Sequence, residues 1–149
     1  MDRDIHDIYD VILKIIITVY GTLFLNFIGI DEEIDEILNV EIITLKGSKL
    51  YLDFLCRLKN GKLQHIEFQY PEAEPKHYNR FFRYNILVEG RNLERTETLI
   101  FNHGCKTKEE KPERMGETKC FMPKQFYLGD VDFESHIQNI NIKLNHIRN

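Results

Sequence analysis

Between residues 49 and 58 an apolar side chain returns at every second position: Leu50, Leu52, Phe54, Cys56 and Leu58. A period of two predicts a strand. A second β-like run covers residues 63–70, and Asn60-Gly61 between the runs signals a hairpin. The loop length then decides which face each side chain takes. A two-residue loop would set Asp53 opposite Phe68 and send Glu67 to the other face. A three-residue loop over Lys59-Asn60-Gly61, with Gly61 left-handed, sets Asp53 opposite Glu67. In that register one face carries Leu50, Leu52, Phe54, Cys56, Leu58, Ile66 and Phe68. The other carries Tyr51, Asp53, Arg57, His65, Glu67 and Gln69, with Leu55 and Leu63. A slip of one residue would scramble both faces, so burial selects the three-residue loop.

Paired Cβ atoms on adjacent strands lie about 4.5–5.5 Å apart, and like charges there repel. A hard divalent cation relieves that repulsion, and Mg²⁺ is commonly held by one or two carboxylates plus waters and substrate phosphates. Gln69, on the face of Glu67, offers an amide oxygen and two N–H donors. A solvated sheet face with scattered acids accounts for the same parity, and both readings stand at this point.

A length of 149 residues suits a single domain, residues 1–149. With 42% hydrophobic and 30% charged residues the chain is expected to be globular. The net charge is −4 and there is no long basic run, so any nucleic-acid footprint must be local. Three cysteines, an odd number, and an acidic start (Asp2, Asp4, Asp7) point to a reducing, cytoplasmic setting. The apolar stretch 11–30 is interrupted by Lys14, Thr18, Gly21, Thr22 and Asn26. It reads as a buried helix broken near Gly21, not as a membrane span. A homodimer is compatible with this composition.

The remaining pattern predicts helices over 4–20 and 22–28, a charged turn or short helix over 31–36 and a strand over 40–45. A helix from Pro75 is expected to stop near Gly90. His77, Arg80, Tyr84 and Leu87 share one face of it. Arg80 and Tyr84 could project over the carboxylate hairpin, or Tyr84 could pack in the core while Arg80 snorkels. A strand is expected over 96–102, a mobile polar insert over 106–118, a short strand within 121–128, and a closing helix over 130–146 with Ile137, Ile140, Ile142 and Leu144 as its apolar positions. The class is mixed α/β. His103, Cys105 and Cys120 lack the spacing of a zinc site. His65 is either a proton carrier or a structural histidine.

Asp53, then Leu63-Gln-His-Ile-Glu67-Phe-Gln69, then Arg80-x-x-x-Tyr84, resembles the PD-(D/E)XK nuclease superfamily, and within it the Rpn or YhgA-like transposase-associated nucleases. Tyr9-Asp10-Val-Ile-Leu-Lys14 is similar to the opening D-x-x-x-K helix of that family, and Phe126-Tyr-Leu-Gly-Asp130 to the end of its nuclease domain. The resemblance implies a restriction-endonuclease-like core of helix, three strands, helix and strand, with a C-terminal helix. It implies a Mg²⁺-dependent DNA endonuclease, with Mn²⁺ as an alternative metal. Asp53 and Glu67 would ligate the metal, with Gln69, Arg80 and Tyr84 completing the catalytic set. Leu52 stands where the signature has Pro, and Gln69 where it has Lys. A nuclease fold serving as a DNA-binding or assembly module is the alternative.

Overall fold

Lys59, Asn60 and Gly61 form the expected three-residue turn. The Leu58 N–H donates to the Lys62 carbonyl, the Gly61 N–H donates to the Leu58 carbonyl (both 2.9 Å), and Gly61 has φ +86°. The turn joins β4 (Phe54–Leu58) to β5 (Leu63–Gln69) in the antiparallel register Phe54↔Ile66, Cys56↔Gln64. The computed structural model describes residues 2–147, and the side chains of 8, 11–139, 141 and 142 among them. A Cβ on Gly61 would touch nothing within 4 Å, so its replacement is strained only through the backbone. Gly61→Ala is expected to cost about 1–2 kcal/mol in urea unfolding, without altering the function of the site.

Around this hairpin the chain builds a five-stranded mixed sheet, ordered β1 (Ile34–Ile37), β4, β5, β6 (Thr96–Asn102), β9 (Lys124–Tyr127). The first three strands pair antiparallel; β5, β6 and β9 run parallel. Parallel pairing of β5 and β6 requires a crossover, which α2 (Pro75–Asn92) supplies. The helix α1 (Asp2–Phe27) covers one face of the sheet and α2 covers the other. Two small ribbons, β2 (Glu41–Ile43) with β3 (Lys49–Tyr51) and β7 (Glu113–Met115) with β8 (Lys119–Phe121), flank the sheet, and α3 (Phe133–Ile147) closes the order. In the main sheet and its two covering helices the sequence runs helix, three strands, helix, then strands.

Several sequence expectations change. Leu50 and Leu52 do not continue the face of Phe54. The chain bends at Leu52–Asp53, β3 leaves for its own ribbon, and Leu52 packs under α2 with Leu55, Leu63 and Val88. The face of His65 and Glu67 is not solvated, because α2 roofs it and leaves Glu67 only 3% exposed. The charged segment 31–36 contributes the edge strand β1, and 40–45 holds only the ribbon strand β2. An edge strand can face water on its outer side, so acids do not exclude it; Glu36 pairs with Arg57 and Glu33 with Lys59 across the edge. Part of the polar insert is ordered into the β7–β8 ribbon, whose Phe121 packs with Tyr78 and Phe81 of α2.

Gly90 lies inside α2, which ends instead at Leu93 in left-handed geometry (φ 54°). Arg91, in the extra turn, donates to the carbonyls of Glu41 (2.7 Å) and Asn39 (3.0 Å). Helix α1 leaves helical geometry at Gly21 (φ 13°, ψ −88°), where the sequence placed its break. A Cβ there would come within 3.0 Å of Ile34, so the kink seats β1. α1 is not buried all round: Leu13, Ile17, Phe24 and Leu25 enter the core, whereas Val11, Ile15 and Val19 are exposed. In α3, Ile137 and Ile142 are exposed, and the side chains of Ile140 and Leu144 lie outside the described residues. No described helix is long and apolar enough to cross a membrane. Cys56 is buried in the α1-side core, and burial pushes its thiol up to about 12.

Candidate metal and phosphate site

Continuing the β4–β5 register by one step sets Asp53 across from Glu67. Two hydrogen bonds mark the junction. The Asp53 N–H donates to Glu67 Oε1 (3.3 Å), and the Phe68 N–H donates to Asp53 Oδ2 (2.9 Å). The bend that ends β3 thus leaves Asp53 beside the carboxyl end of β5. In open sheets with parallel strands, ligands bind at carboxyl ends.

The expected repulsion between the two carboxylates is partly offset. Lys14 Nζ reaches Asp53 Oδ1 at 3.6 Å from α1. In the sequence Lys14 stands out as an interruption of the apolar stretch 11–30 and in the opening-helix match; nothing in its local pattern placed it beside Asp53. The side chains of Tyr9 and Asp10, the other residues of that match, lie outside the described residues. Glu67 Oε1 also pairs with His65 Nε2 at 2.8 Å. Two adjacent carboxylates are an oxygen donor set of the kind that holds a hard divalent ion. Among the described residues no group of three or more His, Cys, Asp or Glu surrounds a common point, so such an ion would be completed by waters and phosphate oxygens.

Tyr84 and Arg80 do not simply divide between core and solvent. The Tyr84 ring packs edge-on to His65, with centroids 6.2 Å apart. Burial raises its phenol above the ordinary tyrosine range, and Glu67 and Asp53 push the same way while Arg80 and Arg83 pull it down. Tyr84 therefore feels the charges of Asp53, Glu67, Arg80 and Arg83. Arg80 is exposed, its guanidinium 4.9 Å from the Phe81 ring centroid. That leaves its donors available to an incoming anion. Gln69 ends β5 half-buried; its carbonyl accepts from the His103 N–H (3.0 Å) and lies 2.9 Å from His103 Nδ1. The Gln69 side chain makes no hydrogen bond to the described residues.

His65 is fully buried, which removes it as a proton carrier to solvent. It sits between Glu67 and Thr98 of β6, and Thr98 meets Asn85 of α2. Sequence reasoning missed both Thr98 and Asn85. Their only signal is the parallel register His65↔Thr98, which no local pattern reveals.

The insert is not a basic patch. Over residues 106–118, Lys106, Lys108, Lys111 and Arg114 are balanced by Glu109, Glu110, Glu113 and Glu117. Lys106 pairs with Glu110 at 3.5 Å. Glu109, Glu110 and Glu113, with Glu72, line a cavity of about 510 Å³ beside Tyr78 and Tyr127. The Cys105 thiol is raised by its hydrogen bond to Asp130, a contact that has nothing of a zinc site. No family model, curated protein or solved structure matches this chain significantly.

Proposed function

We propose that this chain is a Mg²⁺-dependent DNA endonuclease with a PD-(D/E)XK-type core, similar to the Rpn or YhgA-like nucleases. The observation that carries the reading is the pairing of Asp53 with Glu67 at the carboxyl end of β5, with the Lys14 ammonium on Asp53. Asp53 and Glu67 would hold the metal. A bound Mg²⁺ supplies positive charge for the phosphate and makes its water a better nucleophile.

The chain's own residues supply the rest. Gln69, whose amide can donate and accept, orients the attacking water. A neutral amide cannot replace the cation that the signature lysine would bring. Lys14 brings that cation from α1, within reach of the same carboxylate. Arg80, exposed on α2 one turn before Tyr84, would offer a forked donor to the scissile phosphate. Tyr84 closes the site from α2 through its packing on His65. The second reading is a nuclease fold acting as a DNA-binding or assembly module, and Gln69, a neutral amide where the signature has lysine, favours it.

Nicking of supercoiled plasmid separates the two. Purified protein is expected to nick in Mg²⁺ or Mn²⁺, to stop in EDTA, and to lose activity in Asp53→Ala. A folded protein that nicks nothing in either metal would leave the module.

A further inference from the structure

The buried hydrogen bonds around His65 have a direction. Asn85 Nδ2 lies 2.9 Å from the Thr96 carbonyl oxygen and 3.0 Å from Thr98 Oγ1. A carbonyl only accepts, so the Asn85 atom facing both groups is the NH₂, with one N–H for each. Thr98 Oγ1 therefore accepts from Asn85. A hydroxyl has one proton and can accept twice; the remaining partner in reach of Thr98 Oγ1 is His65 Nδ1, 3.2 Å away, and the proton goes there. His65 Nδ1 is then an acceptor, the ring proton sits on Nε2, and Nε2–H donates to Glu67 Oε1 at 2.8 Å. Thr98 is 5% exposed, His65 0% and Glu67 3%, so water does not compete between Thr98 and Glu67.

We infer that Asn85, Thr98 and His65 form a one-way donor chain that ends on Glu67 and sets the orientation of that carboxylate. The chain begins on α2, crosses β6 and enters β5, so three elements fix one carboxylate. Oε1 is held by the imidazole and by the Asp53 N–H, which turns Oε2 to any further ligand. His65, Thr98 and Asn85 are positioning residues; none need touch substrate. Groups that orient a metal ligand typically contribute 10–100-fold to metal affinity. The positioning role rests on the metal reading above, whereas the direction of the chain does not.

The test has two arms. In metal-free ¹⁵N-labelled protein, long-range ¹H–¹⁵N spectra, with His65 assigned by its loss in His65→Gln, are expected to show the ring proton on Nε2. A proton on Nδ1 overturns the donor chain, whatever the protein's activity. The second arm titrates Mn²⁺ by paramagnetic resonance. Thr98→Val has nearly the shape of threonine and removes only the hydroxyl; its Mn²⁺ affinity is expected to fall about tenfold. Thr98→Ser is expected to restore both the affinity and the wild-type spectrum. Wild-type affinity in a folded Thr98→Val overturns the positioning role. Wild-type protein that has the Nε2 proton but takes no Mn²⁺ at Asp53 and Glu67 overturns the metal reading and leaves the donor chain in place.

Discussion

Asp53→Asn and Glu67→Gln are each expected to reduce metal-dependent nicking by about 10³-fold or more, equivalent to about 4 kcal/mol of barrier. Melting temperatures should move by only a few degrees. The two effects separate because of what each carboxylate does in the metal-free protein. Asp53 Oδ2 accepts the Phe68 N–H, and an asparagine oxygen can do the same. Its other oxygen faces Lys14, and both side chains of that pair are partly exposed, so its loss contributes little to stability. Glu67 Oε1 accepts from His65 and from the Asp53 N–H, two bonds that a glutamine oxygen can keep. Removing one of two adjacent negative charges also relieves repulsion. Metal binding, by contrast, needs the charge itself. Single-turnover nicking beside thermal melts of both variants checks the pair. Near-wild-type cleavage by Asp53→Asn would remove the metal site. A large loss of stability in Glu67→Gln would make Glu67 a structural residue.

Phe101→Ala is expected to be the most damaging single truncation of the core, at about 3–5 kcal/mol. Phe101 is 1% exposed and central in β6. Its ring lies 5.8 Å from Phe24 of α1, 5.7 Å from Phe68 of β5 and 5.2 Å from Phe126 of β9. One side chain thus ties the covering helix to three strands, and its removal leaves a cavity that no single neighbour can fill. Against a typical total of about 5–15 kcal/mol, the loss would take a large share of the stability. Urea unfolding of the variant at unchanged m-value measures it. A cost below about 1.5 kcal/mol would mean that α1 collapses onto the gap and that Phe24 is freer than its burial indicates.

Contacts near in sequence and contacts distant in sequence differed in how legible they were. The β4–β5 turn, its register and the kink at Gly21 could be read, because each follows from neighbouring residues: period-two apolarity, a glycine in the left-handed region, a gap in a helical pattern. The strand over 96–102 was visible for the same reason. The edge strand β1 was not, because its residues are half acidic and their strand geometry comes from pairing with β4. The end of α2 was also missed. Gly90 satisfies a local stop rule, but Arg91 gains two carbonyls on the β2 ribbon by carrying the helix on.

The site divides along the same line. The juxtaposition of Asp53 and Glu67 was legible, since the register of one hairpin sets them across from each other. The burial of His65 and Glu67 was not, because it depends on α2 lying across that face, and parity alone cannot distinguish a wet face from a roofed one. Lys14, Thr98 and Asn85 come from three other elements, and only their packing brings them to the carboxylates. The sequence by itself determined which acids stand side by side, because a strand's alternation is dictated by backbone geometry. Only the tertiary structure decided what surrounds them, because that depends on helices and strands meeting across long stretches of chain, where no local periodicity carries the information.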